Sequence, residues 1–179
     1  IQSQARSIRY ELLINFCKKK KIKTIITAHN LEDQVETFFI RLSRGSGLTG
    51  LSGMKSLSKL DNNVVLLRPL LNVKKVFLTK IAKKIFGKYF NDPSNKNTKY
   101  LRTKIRNLKE PLLKSGINYD QIIKSINNLA SSKAILDKYF VRIYNNIIKK
   151  YKSKILVNLP KFNKLDTELK IFVINKSIK

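Results

Sequence analysis

The sequence predicts an α/β fold, a parallel sheet interleaved with helices and followed by a helical segment. Three observations predict it. Short β-branched runs alternate with stretches whose apolar residues recur at helical spacing. Turn-forming glycine and proline clusters punctuate them. Beyond Gly116 the strand-like runs give way to a helical, lysine-rich tail broken at Leu159-Pro160.

Each element follows from its residues. Residues 5–17 read as a helix, with Ile8, Leu12 and Phe16 on one stripe and Leu13 beside it. Lys18 to Lys21 then sit where cations complement the helix dipole. Residues 22–29 hold Ile22, Thr24, Ile25, Ile26 and Thr27, the pattern of a buried parallel strand. A second helix is expected over residues 31–43, with Leu31, Val35, Phe38, Phe39 and Leu42 as its apolar stripe. Four of the six glycines (Gly45, Gly47, Gly50 and Gly53) follow it. Val64 to Leu67 is a second strand candidate, closed by Arg68 and Pro69. Helices are expected over residues 73–86 and 99–113, with a turn-rich loop over 90–95 between them.

Composition narrows the function classes. At 42% hydrophobic and 9% aromatic residues, the 179-residue chain holds enough apolar side chain for a real core. A single cysteine, Cys17, excludes an internal disulfide framework and suits a reducing cytosol. No apolar run approaches the roughly 18 residues of a membrane span. The first ten residues lack a signal peptide's apolar centre, and no initiator Met opens the chain, which reads as an internal start. The net charge of +27 suggests a polyanionic partner. A blander source competes with that reading. The 30 Lys, 22 Ile and 17 Asn stand against 5 Ala and 8 Arg, the signature of A/T-rich codons.

Three constellations could carry chemistry. In the first, His29 ends a strand, and Asp33 and Glu36 stand three apart on the next helix, sharing a face. Ligands of open α/β sheets bind beyond the carboxyl ends of strands, so the place is right. The competing reading is a capping box between Asn30 and Asp33. A metal site of His29, Asp33 and Glu36 has little support without a second His, and no metal ligands are assigned. In the second, Arg44, Gly45, Ser46 and Gly47 open a run whose glycines permit positive φ, so its backbone N–H groups and Arg44 could hold an anion. An ordinary glycine helix stop explains the run equally well. In the third, Asp92 and Asn95 precede Arg102 and Arg106, which lie one turn apart. Arginine kept in a lysine-biased chain points to planar, bidentate recognition of phosphate or carboxylate, or else to local pairing on a solvated helix face.

Taken in order, His29-Asn30-x-x-Asp33-Gln34-x-Glu36-Thr37, Arg44-Gly45-Ser46-Gly47-Leu48 continuing to Met54, Arg68-Pro69-Leu70-Leu71, Asp92-Pro93-Ser94-Asn95 and Tyr100-x-Arg102-x-x-Ile105-Arg106 resemble the tRNA(Ile)-lysidine synthetase family. The opening Ala5-Arg6-x-x-Arg9-Tyr10 fits it too, and the resemblance covers residues 5–113. It implies the second half of a PP-loop ATPase domain over residues 1–115. Residues 116–179 would then form a helical linker and the start of a tRNA-binding domain. It also implies a carbon–nitrogen ligase that uses ATP with Mg²⁺ and joins L-lysine to the wobble cytidine of a tRNA(Ile) with a CAU anticodon. Asp33, Glu36 and His29 become catalytic candidates. Arg102, Arg106, Asp92 and Asn95 become lysine or phosphate contacts, and Arg44 to Gly47 an ATP or tRNA loop.

Two departures qualify the resemblance. The family's Ser-Gly-Gly-x-Asp-Ser phosphate loop is not in this sequence, so the 179 residues alone are expected to be inactive. Asn30 stands where many members carry a second His. The alternatives are a PP-loop tRNA thiolase, which typically uses paired cysteines, and a non-catalytic basic RNA-binding remnant. A cytoplasmic or organellar matrix location follows from the resemblance, with no membrane partner, and homodimerisation stays open.

Overall fold

The computed structural model describes residues 2–61, 63–88, 90, 98–152 and 154–178; Asp92 and Asn95 lie outside them. The chain divides into two compact units, Ile1–Asn127 and Asn128–Lys179.

The first unit opens with α1 (Gln2–Lys19), closed by Lys18 and Lys19 in its last turn. Lys21 takes the left-handed conformation, and Lys21 N and Ile22 N donate to Lys18 O and Cys17 O. That is a Schellman stop with lysine at the position glycine usually fills. The apolar stripe of α1 is not covered. Ile8, Leu12 and Phe16 are exposed, and among the described side chains of this helix Cys17 is the buried one.

Strand β1 (Thr24–Ile26) is shorter than expected, and only Ile25 is half-buried, between exposed Thr24 and Ile26. It pairs in parallel with β3 (Val64–Leu67), Ile25 opposite Leu66. The other neighbour of β3 is β2 (Leu57–Asp61), paired antiparallel, so the sheet has the order β1-β3-β2 and is mixed where a parallel sheet was expected. In β2, Leu-Ser-Lys-Leu-Asp has no β-branched residue, so propensity gave no signal. The central strand carries the burial: Val64 and Leu66 are buried, while Ile26 of the edge strand is exposed.

Helix α2 (Leu31–Leu42) follows β1, and the four-residue α3 (Leu48–Leu51) lies within the glycine run. Leu31 and Val35 of α2 pack with Tyr119, Ile122 and Ile126, with Phe38, Phe39 and Leu112 at the margin. Helix α4 (Lys75–Phe86) buries no residue and ends at Gly87 in the left-handed conformation. The single helix expected over 99–113 is two: α5 (Leu101–Asn107) and α6 (Lys109–Lys114). Pro111 explains the break. It has no N–H to give the carbonyl of Asn107, and its ring crowds that carbonyl.

Helix α7 (Tyr119–Ile147) contributes residues to both units. The second unit continues with an antiparallel pair, β4 (Ile148–Lys150) and β5 (Ile155–Val157), in a tail that reads as wholly helical from sequence. Helices α8 (Leu159–Asn163) and α9 (Thr167–Ile178) complete it. Pro160 lies in the first turn of α8, where a missing N–H costs nothing. Tyr144, Ile147, Ile148 and Val173 form its core, and Phe140 packs on Phe172 with centroids 5.0 Å apart. Among the described residues no helix is long and apolar enough to cross a membrane.

Candidate active site at the start of α2

Strand β1 leads through Thr27 and His29 into α2, so the first turn of α2 lies at the carboxyl edge of the parallel pair β1/β3. The turn is fixed by a complete capping box. Asn30 Oδ1 accepts from Asp33 N at 3.1 Å, and Asp33 Oδ2 accepts from Asn30 N at 3.0 Å. The capping role weighed for Asp33 is therefore real. It occupies one carboxylate oxygen and leaves Oδ1 for another partner.

That partner is Arg102. Its Nη2 donates to Asp33 Oδ1 at 2.9 Å and its Nε to Glu36 Oε2 at 2.6 Å. Arg106 approaches Glu36 from one turn further along α5, with Nε to Oε1 at 2.8 Å and Nη2 to Oε2 at 3.2 Å. Both arginines share one face of α5 because they are four residues apart. The Glu36 side chain is 3% exposed, whereas that of Asp33 is 23% exposed. Burying Glu36 is possible because two guanidinium groups meet both its oxygens. The hydrogen bond to Glu36 is also the main cause that raises the Arg106 pKa above its ordinary value. The two arginines thus face carboxylates of the protein itself.

His29 is half-buried, with Nδ1 2.8 Å from the Thr27 hydroxyl. Burial is the main cause that lowers its pKa. Asp33 opposes the shift, and Arg68, Arg6 and Arg102 add to it. The ring is therefore neutral at neutral pH, and a Thr27 hydroxyl donating to Nδ1 leaves the proton on Nε2.

The glycine run is organised by residues to which the sequence assigned no role. Arg44 N, Gly45 N and Ser46 N donate to Arg41 O, Leu42 O and Arg41 O, so these N–H groups close α2 and do not point at a ligand. Gly45 is left-handed, while Gly47 has φ −78°. Arg44 itself is exposed. Arg41 Nη1 ties down Gly50 O and Gly53 O at 2.7 and 3.1 Å. Buried Gln34 holds Met54 through both amide atoms, at 2.9 and 2.7 Å. Gln34 was legible only as a member of a motif.

Beside the acidic turn lies a cleft of about 540 Å³ between α2 and α4, with Arg106, Lys109 and Tyr119 completing its wall. Glu32 closes one side, accepting from Lys75 N at 2.8 Å with Lys109 Nζ 4.0 Å away. Burial is the main cause raising the Tyr119 pKa, so its hydroxyl stays protonated. Among the described residues no group of three or more His, Cys, Asp or Glu is placed to hold a metal ion.

Helices around a sheet with a parallel pair, and a polar site at that pair's carboxyl edge, define an α/β domain whose candidate site lies where open sheets bind their ligands. The family model for the PP-loop domain matches residues 1–112, and the chain belongs to that family. Within it, the chain is similar to curated tRNA(Ile)-lysidine synthases. It is 41% identical to that of Orientia tsutsugamushi (strain Boryong) over 148 residues, 83% of this chain and 33% of the relative. It is 37% identical to that of Wolbachia sp. subsp. Brugia malayi (strain TRS) over 179 residues, 99% of this chain and 41% of the relative. The chain thus spans about a third to about two fifths of the length of these relatives. A solved U34-tRNA thiolase from Methanococcus maripaludis, NcsA with its 4Fe-4S cluster, superposes with a TM-score of 0.57 at 20% identity, over 73% of this chain and 44% of that one. That likeness supports the fold.

Proposed function

We propose that the complete protein containing this chain joins lysine to the wobble cytidine of a tRNA(Ile) with a CAU anticodon, and that Asp33 receives the amine. The relatives' name and the five ordered motifs support the reaction. The observation that carries the residue assignment is the contrast between two neighbouring carboxylates. Glu36 is buried with both oxygens on arginines, while Asp33 is partly exposed at the cleft.

The reaction has two balanced steps. The C2 oxygen of cytidine attacks the α-phosphorus of ATP, and pyrophosphate leaves. The lysine Nε then attacks C2, the C2–O bond breaks and AMP leaves. Free lysine is cationic, with a side-chain pKa of about 10.4, so the nucleophile must shed a proton. Asp33 receives the ammonium group and accepts that proton. A carboxylate oxygen has two lone pairs, so Asp33 can add a donor to the bonds it already makes. Glu36 acts as a positioning residue. It holds Arg102 and Arg106, and Arg102 in turn orients Asp33. Neutral His29, at the end of β1, offers a hydrogen bond to the polarised base or the departing phosphate. Exposed Arg44 is a phosphate contact for the RNA. Mg²⁺ would enter with the ATP phosphates and offset their charge. Asp33 and Glu36, paired with arginines, offer it no free ligand set, and no step here depends on it.

The test is to incubate the complete gene product with ATP, radiolabelled lysine and tRNA(Ile). Label in the RNA, one AMP released per lysine joined, and a nucleoside of the mass of cytidine plus lysine less water are expected. No label, or a sulfur-bearing nucleoside in place of a lysine adduct, would overturn the proposal.

A further inference from the structure

The cleft beside Asp33 holds more positive than negative charge. Glu32, Asp33 and Glu36 line it against Lys75, Lys80, Lys83, Arg106 and Lys109, three acids to five bases. The three acids already have partners. Glu32 meets Lys75 N and Lys109, Asp33 meets Asn30 N and Arg102, and Glu36 meets Arg102 and Arg106. Both arginines direct Nε and Nη2 at protein carboxylates. Lys75 and Lys80 are exposed, and no carboxylate among the described residues pairs with either ammonium group. Val76, Thr79 and Lys80 lie three and four apart on one face of α4, facing the cleft. That face offers an aliphatic wall followed by a cation. The cleft therefore fits a short ligand that is cationic where it meets Asp33, aliphatic against Val76 and Thr79, and anionic where it meets Lys80.

We propose that Lys80, assisted by Lys75, holds the α-carboxylate of the amino-acid substrate, so that the cleft accepts free lysine and discriminates against lysine without a free carboxylate. The inference rests on the reaction proposed above and adds to it a specificity-determining residue on α4. The α-carboxyl group is ionised at neutral pH, with a pKa of about 3.3–3.7, and converting it to an amide removes the charge while preserving the amine and its chain.

The test compares lysine with lysinamide in the complete gene product, before and after Lys80→Gln. The wild type should prefer lysine by about tenfold in kcat/KM, the scale of one charge-assisted contact. Lys80→Gln should raise KM for lysine by about that factor and leave kcat, KM for ATP and turnover of lysinamide unchanged, so that the preference collapses. Lys80 is exposed, so the melting temperature should not move. A Lys80→Gln protein that keeps the wild-type preference overturns the inference. So does one whose only change is a weaker, more salt-sensitive KM for tRNA, which would make Lys80 an RNA phosphate contact. A wild-type protein that joins neither compound to tRNA brings down the reaction itself, an outcome distinct from an unchanged preference.

Discussion

Arg102 Nε donates to Glu36 Oε2 at 2.6 Å across 66 positions of sequence, and this contact docks α5 on α2. Helix capping does not explain Glu36, which lies one turn beyond the cap. Its carboxylate is buried and serves two guanidinium groups at once.

Glu36→Gln should therefore destabilise the fold, although the substitution is nearly isosteric. It replaces an acceptor oxygen with an NH₂ group that faces donors. We expect a loss of about 1–3 kcal/mol in chemical denaturation, below that of a fully buried pair because the arginines remain 40% and 34% exposed. Unchanged stability would make the clasp incidental.

Gly53→Ala should destabilise through backbone and packing together. Gly53 has φ +74°, and a Cβ there would stand 2.7 Å from Ile126 Cγ2 and 3.0 Å from Gln34 Oε1. A cost of about 1–3 kcal/mol is expected. Gly47→Ala is the control, since Gly47 has φ −78° and nothing lies within 4 Å of its added carbon. Equal melting temperatures for the two variants would contradict this account of the loop.

These two sites mark what the sequence made legible. The α2 stripe, the Asn30 cap and the β3 strand could be read because local spacing and local chemistry determine them. The clasp could not. Arg102 and Arg106 were recognisable as scarce arginines, but their partners are 66 to 70 positions away, and spacing alone does not choose between a phosphate and a protein carboxylate. Strand β2 was invisible because its pairing with β3 supplies what its propensity lacks. The α1 stripe was readable as an apolar side, but periodicity does not report what covers it.

His29 gives a pH signature. Its folded pKa lies below the usual 6.5, so the unfolded chain binds the proton first as pH falls. Stability from this residue is complete above about pH 6.5 and declines below it. The chain has a single histidine, so one imidazole signal reports the titration by NMR. A midpoint at or above 6.5 would contradict the burial argument. His29→Gln should flatten this part of the stability profile.

The charge of +27 predicts salt-sensitive binding of tRNA by the complete gene product. The logarithm of affinity should fall by about 0.7–0.9 per log unit of salt for each phosphate neutralised. An affinity indifferent to salt would assign the lysines to codon bias alone.

Asp33→Asn in the complete gene product tests the central claim most directly. Asparagine keeps an acceptor for Asn30 N, so the cap survives, with a stability loss of about 1 kcal/mol through the helix dipole and the Arg102 bond. If Asp33 receives the lysine amine, lysidine formation at saturating ATP and tRNA should drop by about 10²–10⁴-fold while the protein stays folded. Lysidine formation within about threefold of wild type, a barrier change under about 1 kcal/mol, would contradict the account.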